Sequence, residues 1–324
     1  MLFFARRTTK RLSEAIHPDR HSAIPPNGIN GMITDVERRA LACFAKNIWE
    51  NGARRNGVLV DGGCFVGAST VALAEGLRQS SLPERERRGR IWSYDLFRAT
   101  PAIASVYLSG SGVQPGDSFQ AIFEKNVTPY SDYIVVHAGD IRCGPFPTQP
   151  IAILFLDVMW SWDSALVLGR NFYPKLEPGR SLLIHQDFVY PFYPWVILSM
   201  GQLAAFFAFA YNVQYSSVVF DITRRIKEHH IDDPRNLPLP VALAIYDRFI
   251  KRLEGWGRGS VALGKAFYLA SLNHVPEARR LVADIERVYL SEGLVTQYID
   301  SIRGYCDRVD MLGRPIPLDD VVGV

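Results

Sequence analysis

The chain has only four cysteines in 324 residues, Cys43, Cys64, Cys143 and Cys306, and no two of them form a CxxC pair. That scarcity argues against a disulfide framework or a cysteine-ligated zinc site and suits a reducing, cytoplasmic setting. A surplus of one charge is missing too. Lys and Arg total 36 against 33 Asp and Glu, and the formal net charge of +3 gives no general electrostatic reason to expect nucleic acid as a partner. The densest basic run, Arg85, Arg87, Arg88 and Arg90, is interrupted by Glu84 and Glu86 and reads as a solvated loop. No stretch approaches the roughly 18 apolar residues of a membrane span. The richest one, Tyr190–Tyr211, contains Pro191 and Pro194 and reads as a buried helix. The start, MLFFARRTTKRLSEAIH, is basic and faintly amphipathic, with an apolar run too short for a secretory signal. It reads as a plain surface segment, although a transit peptide shares this composition.

What the chain does have is core material: 48% of its residues are hydrophobic, which argues against disorder. Residues 1–31 read as an irregular lead-in closed by the turn-rich Pro25-Pro26-Asn27-Gly28 and Asn30-Gly31. A helix capped by Thr34 or Asp35 should follow, with Leu41, Phe44, Ala45 and Ile48 at helical spacing. Five apolar strands then alternate with helices: Val58–Val60, Ile91–Asp95, Tyr133–His137, Ile151–Leu156 and Ser181–His185. Helices are expected over 68–77, 118–126, 164–173 and 195–209. The runs Tyr211–Tyr215 and Ser217–Ile222 read as a closing antiparallel pair. This alternation predicts an α/β fold, a Rossmann-like and mostly parallel sheet covered on both faces. The polar stretch Lys227–Pro240 reads as a linker, placed at 229–240, and helical periodicity resumes over 241–310 before a tail at 311–324.

Each strand end carries an acid: Asp61, Asp95, Asp140, Asp157 and Asp187. Ligands of parallel sheets bind beyond the strands' carboxyl ends, so five acids in order outline a site. The first is followed by Gly62-Gly63-Cys64-Phe65-Val66-Gly67-Ala68-Ser69. A dinucleotide GxGxxG fingerprint fails here, because its middle glycine would fall on Cys64 or Phe65. The loop reads instead as DxGxxxG and resembles the first motif of class I methyltransferases, enzymes that use S-adenosylmethionine. In that reading Asp61, Gly62, Gly63, Gly67, Ala68 and Ser69 surround the methionine end of the cofactor. Glycines let the backbone approach closely, and Asp61 can face the positive amino group. Asp95 is placed to accept the ribose hydroxyls, and Gly139-Asp140-Ile141 resembles the adenine-contacting segment. A purely structural strand–helix turn is the plain alternative.

The order of Ile153–Asp157, then Phe172–Gly179, then Leu182–Asp187 resembles macrocin O-methyltransferase-like enzymes over roughly residues 30–225. That resemblance implies a metal held by a fourth-strand carboxylate and two adjacent fifth-strand carboxylates, here Asp157, Gln186 and Asp187, with Mg2+ as the expected ion. Asp157 also borders the cofactor. The chain departs from the pattern in carrying Gln186 where an acid is expected and Met159 at a second acidic position. Without a metal, a base must take the acceptor's proton, and His185 and Asp187 are the candidates. Trp160, Trp162, Tyr190, Phe192, Tyr193 and Trp195 are positioned to line an acceptor pocket or to pack in the core.

The expected function is O-methylation of a hydroxyl on a small or glycosylated acceptor. Two alternatives stand beside it. One is a metal-independent O- or N-methyltransferase using His185 or Asp187, and the other is a degenerate nucleotide-binding fold acting as an interaction protein. The C-terminal helices are free to cap the site, form a homodimer or bind a partner.

Overall fold

In a computed structural model the described residues are 11–18, 28–214, 216–289 and 293–318. The run 1–10, the Pro25-Pro26-Asn27 turn, Tyr215 and the tail beyond Leu318 lie outside them. In chain order the elements are α1 (Leu12–Ala15), α2 (Asp35–Asn47), β1 (Val58–Gly62), α3 (Ala68–Arg78), α4 (Glu84–Arg87), β2 (Ile91–Asp95), α5 (Gln120–Val127), β3 (Ile134–Ala138) and β4 (Ile151–Leu156). After them come α6 (Trp162–Phe172), β5 (Leu182–His185), α7 (Pro194–Gln202), β6 (Phe207–Val213), β7 (Ser217–Ile222), α8 (Leu239–Ile250), α9 (Gly255–Ser271), α10 (Val275–Tyr289) and α11 (Gly293–Leu312).

The strands form one sheet in the order β3-β2-β1-β4-β5-β7-β6. β1 to β5 pair in parallel, while β7 runs antiparallel to both β5 and β6. The sheet is therefore Rossmann-like and mostly parallel, with an antiparallel closing strand and C-terminal helices, the fold class expected from the sequence. Its strand order reverses between β1 and β4, which opens the crevice where ligands of such sheets sit. β1, β4 and β5 are buried along their whole length, which explains why their sequences run apolar without alternation. The Thr34 hydroxyl accepts the Glu37 N–H, while the Glu37 carboxylate accepts the Thr34 N–H, a capping box that starts α2.

The structure corrects three boundaries. The helix expected over 195–209 stops at Gln202, and β6 begins at Phe207. The run Phe207-Ala208-Phe209-Ala210 has period two, which continuous apolar content disguises as a helix. The lead-in is not wholly irregular, because α1 inserts Leu12 and Ile16 into the core and Ser13 donates to the buried Asp221 carboxylate at 2.5 Å. The segment 229–240 is packed rather than free: Ile231 and Pro234 are buried, Arg170 donates to the Ile231 carbonyl, and Arg235 bridges Asp233 and Asp163. Beyond it, Phe249, Val261, Phe267 and Ile302 join Leu154, Leu183 and Phe220 of the sheet in one continuous apolar core.

Candidate functional site

The glycine loop joins β1 to α3 at the crevice. Gly63 has φ +93°, and a Cβ there would lie 2.5 Å from the Asp157 carbonyl oxygen and 2.5 Å from Val158 Cγ1. No side chain fits, so the loop can lie directly on the end of β4 only with glycine at this position. The Gly63 and Cys64 N–H groups donate to the Tyr94 carbonyl, and Phe65 N–H donates to Asp95 Oδ2 at 2.8 Å. These inward-facing donors tie the loop to β2.

Asp61 sits under this loop, not in the cleft. It is fully buried, and its Oδ2 accepts from the Ser69 and Thr70 hydroxyls at 2.9 and 2.5 Å, pinning the first turn of α3 to β1. Burial raises its pKa to about 6 against the lowering pull of those two hydroxyls. Its Oδ1 has no hydrogen-bond partner. Oδ2 is thus committed to internal contacts in place of the expected cofactor amino group. Ser69 is likewise turned toward Asp61, and Ala68 is packed in the core.

Asp95, Gly139, Asp140 and Ile141 do come together. With Tyr94, Leu96, Arg142, Val158, Trp160, Ser161 and Ser164 they line a cavity of about 230 Å³ beyond the ends of β2, β3 and β4. The Asp95 carboxylate accepts Phe65 N–H on one oxygen and Phe97 N–H on the other, and burial raises its pKa even so. Each oxygen keeps a further lone pair to accept with. Gly139, at φ +127°, leaves open space where a side chain would stand. Asp140 is clamped by the Arg142 guanidinium at 2.6 Å, which holds its carboxyl below the usual range. Leu96 and Trp160 are half-exposed at the cavity. The donor set suits an adenosine: apolar faces for a flat base, backbone groups after β3 for its edge, and a carboxylate for the ribose hydroxyls.

Across the switch point lie Asp157 and Asp187, at the ends of β4 and β5. Their carboxyls share a hydrogen bond, and both pKa values are raised, chiefly by burial and by the negative charge gathered there. Two enclosed, interacting carboxyls resist ionising together, so the pair titrates as a unit. Glu37 adds to the repulsion from α2, where its own carboxylate accepts from Ser217 Oγ at 2.6 Å. Sequence reasoning missed Glu37 as a site residue, although the Thr34–Glu37 capping-box spacing was there to find.

The expected metal centre is not formed. Among the described residues no group of three or more His, Cys, Asp or Glu side chains is arranged to hold a metal ion. Asp157 and Asp187 are the two carboxyls here, and Gln186, whose buried Oε1 has no partner among the described residues, brings no charge where a third acid is expected. Mg2+ prefers ionised oxygen donors, so the three-carboxylate set that the resemblance implies is incomplete. His185 is corrected as well. It is 1% exposed in β5, its Nε2 lies 3.0 Å from the Tyr173 hydroxyl, and burial lowers its pKa to about 3. It is a neutral core ring that does not reach the cleft.

The aromatics divide. Trp162 and Trp195 are core, with the Trp195 indole donating to the Met159 carbonyl. Tyr190 and Tyr193 stand beside Asp187, and Tyr190 meets Tyr298 of α11 with ring centroids 5.7 Å apart. Burial first, and the Asp187 charge second, raises the Tyr298 phenol's pKa. Tyr298 was not legible locally, because 111 residues separate it from Asp187 in the sequence.

No protein-family model matches the chain, and no curated protein does. Among solved structures it is similar to the calicheamicin methyltransferase CalS11, at 14% identity over 57% of this chain and 78% of that one, with a TM-score of 0.42. That likeness is weak and carries no argument about activity.

Proposed function

We propose that the chain is an S-adenosylmethionine-dependent methyltransferase that methylates a hydroxyl of a small or glycosylated acceptor, with Asp187 receiving the acceptor's proton. The observation that carries this reading is the two-sided carboxyl edge. A cavity of about 230 Å³ is lined by Asp95 and Gly139–Ile141, and an interacting carboxyl pair stands across the glycine loop from it.

S-adenosylmethionine, when bound, supplies an electrophilic methyl on sulfur. Asp95 would hold the ribose, Gly139–Ile141 the base, and the backbone at Gly62, Gly63 and Gly67 the methionine end. Tyr190, Tyr193 and Tyr298 would exclude water and orient the acceptor beside Asp187, which takes the hydroxyl proton as oxygen attacks the methyl. Asp157 would share a proton with Asp187 and hold it in place. The raised pKa of Asp187 makes it a stronger base than an ordinary carboxylate, and its base form appears only as pH rises past the usual carboxylate range. Alignment supplies the remainder of the rate.

The test is adenosylhomocysteine titration together with methyl-transfer assays on sugar and phenolic hydroxyls. Asp187→Asn should lower transfer about 10²–10⁴-fold, the usual worth of a positioned base, while leaving adenosylhomocysteine affinity unchanged. Chelator should change nothing. Transfer abolished by chelator and restored by Mg2+ would return the metal to the site, and absence of any adenosylhomocysteine binding would sink the whole reading.

A further inference from the structure

The amino edge of the sheet holds a second cleft, on the other side of the molecule from Asp157 and Asp187. β6 is the edge strand and starts there, its Phe207 paired with Ile222 of β7. An outer cavity of about 420 Å³ is lined by Arg11, Ala204, Phe207, Ala208, Phe209, Thr223 and Arg252. An inner cavity of about 140 Å³ shares Ala204, Phe207, Phe209 and Arg252 with it and adds Met200, Phe220, Arg248 and Phe249. The floor is made of phenyl rings, with Phe207, Phe220 and Phe249 packed edge to face. The rim is made of arginines, and no acidic side chain lines either cavity.

Arg248 and Arg252 are exposed, and among the described residues neither forms an ion pair, whereas Arg54, Arg87, Arg142, Arg235, Arg279 and Arg303 all do. Among the described residues the Arg11 guanidinium donates to the Phe209 carbonyl, at 3.4 Å. Thr223 spends its hydroxyl on the Phe206 carbonyl, so the polar capacity facing the cleft is cationic. An apolar cavity of roughly 150 Å³ is large enough to take a benzene ring. Guanidinium groups with no carboxylate partner are the usual receptors for carboxylates and phosphates.

We propose that this cleft binds a free amphipathic anion, an aryl or short alkyl carboxylate. Its ring or chain would enter the inner cavity over Phe207 and Phe249, and its head group would lie between Arg248 and Arg252. The site is independent of the methyl-transfer reading, since it lies at the opposite edge of the sheet and shares no residue with the cofactor cavity.

The experiment titrates the full chain with 4-phenylbutyrate and with its neutral analogue 4-phenylbutanol, followed by calorimetry. The acid should bind at least about tenfold more tightly than the alcohol, the scale of a charge-assisted pair. The double variant Arg248→Gln, Arg252→Gln should remove that preference while the alcohol binds as before. Ala204→Trp, which fills the passage between the cavities, should abolish both, with circular dichroism confirming the fold. Equal affinity for acid and alcohol, or a preference that survives in the double variant, overturns the proposal. So does sedimentation with phosphatidylglycerol vesicles in a chain that binds no phenylbutyrate, which would assign the arginines to a lipid surface.

Discussion

The two halves of the carboxyl edge are built differently. The half over β1, β2 and β3 comes mostly from residues 61 to 142, with one wall from Val158 to Ser164, and it remains open as a cavity between Asp95 and Ile141. The half over β4 and β5 is closed by aromatics, and its neighbours come from far apart: Glu37 from α2, Tyr190 and Tyr193 before α7, and Tyr298 from α11. The open half has the form of a receptor for a ligand of fixed shape. The closed half places ionisable groups where burial changes their chemistry, and there the C-terminal helices serve as wall as well as core.

The strongest way to break this comparison is to remove those helices. If the closed half depends on them, a chain ending at residue 230 should neither unfold cooperatively nor bind adenosylhomocysteine. Each large apolar side chain left uncovered, such as Phe188 and Phe220 without Phe249, costs about 1.5–3 kcal/mol. A few of them exceed a typical native stability of about 5–15 kcal/mol. Limited proteolysis checks the same point without truncation. The packed segment around Ile231 and Pro234 should resist cutting, and a nicked fragment retaining full cofactor affinity would show that the open half stands alone.

Gly63→Ala should come next in size, because it strikes the contact between the halves. The added methyl meets the Asp157 carbonyl and Val158 at a backbone position that disfavours side chains. Strain and overpacking of about 1–3 kcal/mol each should add. Chemical denaturation measures it, and a loss under about 1 kcal/mol would mean that the loop does not rest on β4 as described.

Asp61→Asn then tests whether the open half is braced from beneath. The Asp61 pKa is raised from 3.8 to about 6, so the native state binds its proton more tightly than the unfolded chain does. The stability this proton confers is fully present below the unfolded value and is lost as pH rises through about 6. The cost of holding the ion is about 3 kcal/mol for a shift of roughly two units. The asparagine keeps an acceptor for Ser69 and Thr70 and carries no charge. Its stability relative to the native chain should therefore rise between pH 4 and 7, in urea titrations at each pH. A constant difference across that range would mean that Asp61 ionises normally.

The open half was legible because it is local. Asp61, the loop glycines, Asp95 and Gly139–Ile141 follow one another in the order that strand and turn signals already give, and of these Asp95 and Gly139–Ile141 meet around one cavity. Orientation was not legible: nothing in the sequence shows that Asp61 turns inward to Ser69 and Thr70. Nor does it show that β5 stops at His185, which stays in the core, while Asp187 beyond the strand lies beside Asp157. In a continuing strand, residues two apart would share a face, so it is the end of β5 at His185 that separates the two. The β6 start and Tyr298 were obscured for other reasons, a helix-like apolar content and a long sequence separation.

The smallest expected effect sharpens the comparison most. Asp95 has two duties, since it accepts the Phe65 and Phe97 N–H groups and faces the cavity. Asp95→Ala should weaken adenosylhomocysteine binding by about 1–3 kcal/mol, the scale for hydrogen bonds to a charged group. That loss alone is ambiguous, because a relaxed loop would weaken binding without any ribose contact. A cycle with an adenosylhomocysteine analogue lacking the 2′ and 3′ hydroxyls separates the two causes. If Asp95 holds the ribose, the native chain discriminates between ligand and analogue and the variant does not. If the carboxylate only ties the loop to β2, native chain and variant discriminate equally, and Asp95 joins Asp61 as a brace beneath a cavity whose contacts lie elsewhere.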